Sequence, residues 1–113
     1  MKKITLFFLC MSMLNTAHSS ESVTSQSIIA GLLVDGADRP SIANLANATY
    51  IRLAQMPSFG NCRADYFHAK NEGSALISSI LAAYMSQKPV QLVVETDATY
   101  MIQGTCQVVE LIF

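Results

Sequence analysis

The sequence predicts a mainly β domain with one helix, in the order β-β-β-α-β-β. Three observations carry this. Five short runs alternate with period two or are rich in β-branched residues. One run, Ser74–Gln87, repeats its apolar residues at helical spacing. Clusters of Gly, Pro, Asn and Asp separate the runs, as turns require.

The first strand is "SIIAGLLV", Ser27–Val34, where Gly31 marks a bend or bulge. The preceding "SESVTSQ" is polar and is expected to fray. "DGADRPS" is a turn cluster, and "IANLANA" leads loosely to the second strand, "TYIRLAQM". There Thr49, Ile51 and Leu53 point one way, and Tyr50 and Arg52 the other. "PSFGN" turns the chain into a third strand, "CRADYFHA". In the helix, Leu76, Ile77, Ile80, Leu81 and Tyr84 form the expected core stripe. Asn71 or Ser74 is expected to cap its start, with Glu72 and Lys88 complementing the two ends of its dipole. Pro89 stops it. Val90, Leu92 and Val94 face one side of a fourth strand, "TDATYMIQG" is a loop or hairpin tip, and "TCQVVELIF" is the last strand. Five short strands with a helix between the third and fourth is the order of an OB-fold-like five-stranded barrel.

The N-terminus reads as a secretory signal over residues 1–19. Lys2 and Lys3 precede the apolar "ITLFFLCMSML", and "NTAHSS" offers small residues for cleavage. The apolar run is shorter than the roughly 20 residues a membrane span needs. Cys10 lacks the small preceding residues of a lipid-attachment site. Residues 20–113 then form a single domain, exported to the periplasm or beyond. Without Lys2 and Lys3, five Lys/Arg stand against eight Asp/Glu, a net charge of −3. That balance disfavours nucleic acid, which is held by clustered cations.

Two cysteines remain, Cys62 and Cys106. An even count in a small exported chain predicts a disulfide; the alternative is two separate buried thiols. With His68 as the nearest additional ligand, they fall short of zinc spacing, so neither metal nor cofactor is expected. No Gly-x-Ser-x-Gly elbow, phosphate loop or dinucleotide fingerprint is present. A lone His beside a strand is more often structural than catalytic, and the chain is read as a non-enzyme.

Binding is the better expectation. A sugar ring has C–H faces and hydroxyls, so its sites combine an aromatic face with planar polar groups. The loops supply Asp38 and Arg39 in the first turn, Ser58, Phe59 and Asn61 in the second, and Tyr100 and Gln103 in the last. Each also has an ordinary structural use: solvated turn, barrel plug or edge cover.

From Ser74 to Gln87 no residue carries a charge, whereas a surface helix usually turns charges to water. Ser78, Ser79, Ala82, Ala83 and Ser86 are small and neutral, as a face pressed against a neighbour would be. The stretch "ALISSILAAYMSQKPVQLVV", Ala75–Val94, resembles the helix-to-strand segment of B subunits of bacterial AB-type enterotoxins. Type II heat-labile enterotoxin is the nearer pattern, and subtilase-cytotoxin and pertussis-like B subunits are more distant. "GTCQVVELIF", the single Cys pair and the domain size are also similar. The resemblance implies a pentameric ring with central helices, a glycan or protein receptor, and a catalytic A subunit as possible partner. Pores in that family are typically rich in charge, and this helix has none. The alternative function is a monomeric periplasmic inhibitor or accessory protein that meets its partner through a loop such as "DGADRP".

Overall fold

The structure, a computed structural model, describes residues 20–113. The expected signal segment, 1–19, lies outside the described residues. The elements are β1 (Glu21–Val23), β2 (Ile29–Val34), a 3-10 turn (Pro40–Leu45), β3 (Ala48–Leu53), β4 (Phe67–Lys70), α1 (Ser74–Ser86), β5 (Gln91–Glu95), a second 3-10 turn (Ala98–Tyr100) and β6 (Gln107–Ile112). The strands form one open mixed sheet in the order β1-β5-β6-β4-β3-β2. β4 and β6 run parallel, and the other pairs are antiparallel.

The expected mainly β domain with one helix is present, its strands forming an open sheet of six rather than the expected five. The additional strand is β1, in the polar segment expected to fray. Main-chain bonds hold it rather than an apolar pattern: Ser22 pairs with Val94, and Thr24 N donates to Leu92 O at 2.9 Å. Thr24 Oγ1 accepts from Leu92 N in return. Beyond it, Ser27 and Val90 exchange two main-chain bonds.

The expected third strand also shrinks, starting at Phe67 rather than Cys62. Residues 62–66 are drawn off into a loop. Cys62 N closes a turn on Phe59 O, and Arg63 N donates to Gly104 O at 2.9 Å. The Cys62–Cys106 disulfide is present, with its Cα atoms 5.4 Å apart. It ties that loop to the chain entering β6.

One core fills the inner face of the sheet. Ile51 and Leu53 of β3, Phe67 and Ala69 of β4, Leu92 and Val94 of β5 and Val108 of β6 meet Ile80 and Ala83 of α1. Ala83 was expected on the outer helix face and is fully buried, whereas Leu81, expected in the core stripe, is 39% exposed. At about 100° per residue, Ala83 lies about 60° from the fully buried Ile80, and Leu81 about 100° from it. Ser78, Ala82 and Ser86 are exposed as expected, Ser79 is half-buried, and Met85 at 81% exposure tops this outer face.

Neither expected residue caps the helix. Gly73 holds the N-cap position without a side-chain bond. Asn71 is used elsewhere: it accepts from Thr49 Oγ1 and donates to Asp35 O. At the other end Gln87 adopts the left-handed conformation, φ 54°. Gln87 N reaches Tyr84 O and Lys88 N reaches Ala83 O, the paired bonds of a Schellman stop. Lys88 lies beyond the last turn, its Nζ over the Phe113 ring.

Candidate functional site

Alternation along β3 and β4 sends Tyr50 and His68 away from the core, side by side in register. Around them four separate segments raise the walls of a cleft of about 450 Å³, within the range of roughly 300–1,000 Å³ usual for ligand sites. Leu33 and Asp35 stand at the end of β2, and Arg39, Ile42 and Leu45 follow on the 3-10 turn. Arg63 and Tyr66 come from the loop held by the disulfide, and Gln103 and Thr105 from the approach to β6.

Each wall is fixed by identifiable bonds. Tyr50 OH donates to Leu45 O at 3.0 Å, which fastens the 3-10 turn to the sheet. Burial, and then the Asp35 charge, raise the Tyr50 pKa against the opposing Arg39, so the hydroxyl keeps its proton. Arg39 Nη1 meets Asp35 Oδ2 at 2.6 Å. Arg63 makes a two-pronged pair with Asp65, Nη2 to Oδ2 at 2.6 Å and Nε to Oδ1 at 3.0 Å.

Opposite them, Ile102 and Thr105 exchange main-chain bonds around Gln103 and Gly104. Both central residues have positive φ, 50° and 82°, as a two-residue type I′ hairpin demands. A Cβ on Gly104 would lie 3.1 Å from Arg63 Cγ, so the glycine also lets the arginine stem pack against the turn. Gly104→Ala is expected to lower stability by about 1 kcal/mol and to displace Arg63 from the cleft. Denaturant unfolding and ligand titration of the variant check the two effects.

His68 lies beneath this wall, fully buried. Its Nδ1 is 3.0 Å from Thr105 O and 2.9 Å from Thr105 Oγ1. The Thr105 hydroxyl spends its own proton on Ile102 O, at 2.6 Å. Nδ1 therefore carries the imidazole proton and donates, leaving Nε2 as a bare lone pair with no partner among the described residues. Burial pushes the His68 pKa down to about 4, outweighing the Thr105 bond that opposes it. The ring is neutral, and its role here is to hold Thr105 in place.

Of the residues expected to bind ligand, Arg39 and Gln103 line this cleft. Asp38 is exposed in the adjoining turn, but it is Asp35 that holds Arg39. Tyr100, 51% exposed, lines a second, smaller cleft of about 260 Å³. Ser58, Phe59 and Asn61 line neither. Phe59 instead stacks on Phe67, with ring centroids 6.2 Å apart, at the edge of the core. Sequence reasoning missed Tyr50, Arg63, Tyr66 and Thr105. Only Tyr50 carried a usable signal, its alternation with Thr49 and Ile51. Comparison with protein-family models, with curated proteins and with solved structures finds no match.

Proposed function

We propose that this is an exported, non-catalytic binding protein that takes a receptor glycan in the cleft and assembles through its helix as a ring, in the manner of a toxin B subunit. The observation that carries it is the cleft lining. Tyr66 and the largely buried Tyr50 line it with aromatic rings, while the two guanidiniums and the Gln103 amide offer polar groups. Their anchoring bonds leave little ordering to be done on binding, which favours affinity. The disulfide is consistent with an oxidising, extracytoplasmic compartment, and no helix among the described residues is long and apolar enough to cross a membrane.

The barrel interpretation has support in the chain path. β1 and β2 lie at opposite sheet edges yet are consecutive in sequence. Treated as the two halves of one bent strand, they join β5 on one side and β3 on the other, with the Ser27–Val90 bridge between. That is the connectivity of a partly open OB-type barrel.

The helix supports assembly with a second copy of the chain. Two of its serine hydroxyls are satisfied within the helix: Ser79 Oγ donates to Ala75 O at 2.9 Å, and Ser86 Oγ donates to Ala82 O at 2.8 Å. Those two hydroxyls can be dried without being stranded, and Met85 and Leu81 add apolar area to the face. The oxidised domain is expected to show a multi-chain mass by light scattering, with Met85→Glu reducing it to one chain. A single-chain mass for the unaltered domain would sink the ring. Glycan-array binding tests the receptor. A second function, a monomeric inhibitor or accessory protein acting through the 35–45 loop, is favoured by Ile42, which is 40% exposed there. Capture of one protein partner, lost in Ile42→Asp, would establish it instead.

A further inference from the structure

The second cleft lies on the same side of the sheet as the first and next to it. Thr105 lines the larger cleft and Gln107 the smaller. They are two residues apart on a nearly extended segment, so about 7 Å separates them. Across the strands, Tyr50 pairs with His68 and His68 with Gln107. His68 thus lies buried beneath the boundary between the clefts, and Tyr50 and Gln107 stand roughly 10 Å apart on either side of it. The same loop feeds both: Tyr100 goes to the smaller cleft and Gln103 to the larger.

At about 260 Å³ the smaller cleft falls below the usual size of an independent ligand site, roughly 300 Å³ and upward. Its chemistry nevertheless repeats that of its neighbour. It has one exposed aromatic ring, Tyr100, one planar amide, Gln107, and two charged groups, Lys70 and Glu95, neither in an ion pair among the described residues. Tyr100 is presented on a braced turn. Asp97 Oδ1 accepts from Thr99 N at 2.9 Å, Glu95 Oε1 accepts from Asp97 N at 3.1 Å, and Tyr100 N donates to Asp97 O.

From this we infer that the two clefts are subsites of one site, and that the ligand is a linear oligosaccharide of at least two sugar residues crossing the boundary above His68. One residue sits in the cleft of Tyr50 and Arg63, and a following one sits against Tyr100 and Gln107. This inference rests on the glycan reading of the larger cleft. A saccharide suits the pair better than a peptide. Both subsites offer a ring face flanked by hydroxyl-binding groups, and neither is a deep apolar pocket of the kind that takes a side-chain anchor. A single sugar would leave Tyr100 and Lys70 unused.

The test is a printed array of glycans one to five sugars long. The glycan of highest signal and its successive one-residue truncations are then titrated calorimetrically against the oxidised domain. Affinity is expected to rise roughly tenfold from one sugar to two or three, the size of one or two added hydrogen bonds. Tyr100→Ala and Gln107→Ala are each expected to flatten that rise, with unchanged melting temperatures showing that the fold is intact. Arg63→Ala is expected to weaken every member of the series. Equal affinity across the length series, or a rise that survives both smaller-cleft variants, overturns the inference while leaving the larger cleft as a glycan site. No glycan binding at all, or binding indifferent to Arg63→Ala, overturns the glycan reading itself and the inference with it.

Discussion

Reducing the Cys62–Cys106 bridge, or replacing both cysteines by alanine, is expected to lower the melting temperature by roughly 15–30 °C. The bridge spans a sequence separation of 44. Closing a loop of that length removes unfolded-state entropy equivalent to about 4 kcal/mol. A domain of this size shifts by about 4–8 °C per kcal/mol. Stability of small domains is itself only about 5–15 kcal/mol, so the bridge supplies a large part of it. Function should fail sooner than the fold. The disulfide holds the loop bearing Arg63 and Tyr66 against the Thr105 wall, so mild reduction opens the cleft while the sheet persists. Circular dichroism and ligand titration across a dithiothreitol series check both halves, and parallel loss of the two signals would show that loop and sheet melt together.

His68 sets the second large effect, an acid sensitivity with a defined window. Its pKa is about 4 in the folded chain against 6.5 for an ordinary histidine. The unfolded chain therefore takes up the proton first as pH falls. Stability is full above pH 6.5, declines from there to about pH 4, and levels off below it. The loss amounts to about 3 kcal/mol. Physically, the proton would be added to Nε2, which faces no acceptor among the described residues in its buried site. Asp65 and Asp97 do not blur this window. Each is held below its ordinary value of 3.8, Asp65 chiefly by Arg63 and Asp97 by Thr99, so their contributions are lost only in stronger acid. His68→Asn keeps a donor near the Nδ1 position and cannot titrate. Urea midpoints for it should be flat between pH 6.5 and 4, where those of the parent fall. A parent profile flat over that interval would refute the buried neutral ring.

The parts legible in the sequence were those governed by neighbours along the chain. Period-two alternation placed Ile51 and Leu53 opposite Tyr50 and Arg52, and helical spacing with Pro89 bounded α1 to within one residue. The count of cysteines indicated their pairing. What was missed depends on distant partners. Nothing in "ESV" announces a strand, because its pairing is with Val93–Glu95. "CRADY" alternates plausibly, yet Arg63 answers to Asp65 and Gly104, and Cys62 to Cys106, so the strand waits until Phe67. Ala83 and Leu81 exchanged places because hydrophobicity, rather than angle, decided which of them seemed to belong inside. The cleft was half visible for the same reason. Loop chemistry pointed to Arg39 and Gln103, but Tyr66 and Thr105 join them only through the disulfide and the hairpin.

The pairing of β1 with β5 also fixes an order of events during biosynthesis. Glu21 faces Glu95, and Ser20 O receives both the backbone and the hydroxyl protons of Thr96. A chain made or threaded N-terminus first presents residues 20–24 early, then waits for nearly all the rest before their partner strand exists. The helix and the β2–β3 hairpin can form on the way, since their contacts are local. The sheet edge cannot, and so residues 20–24 emerge early yet are among the last to find their place.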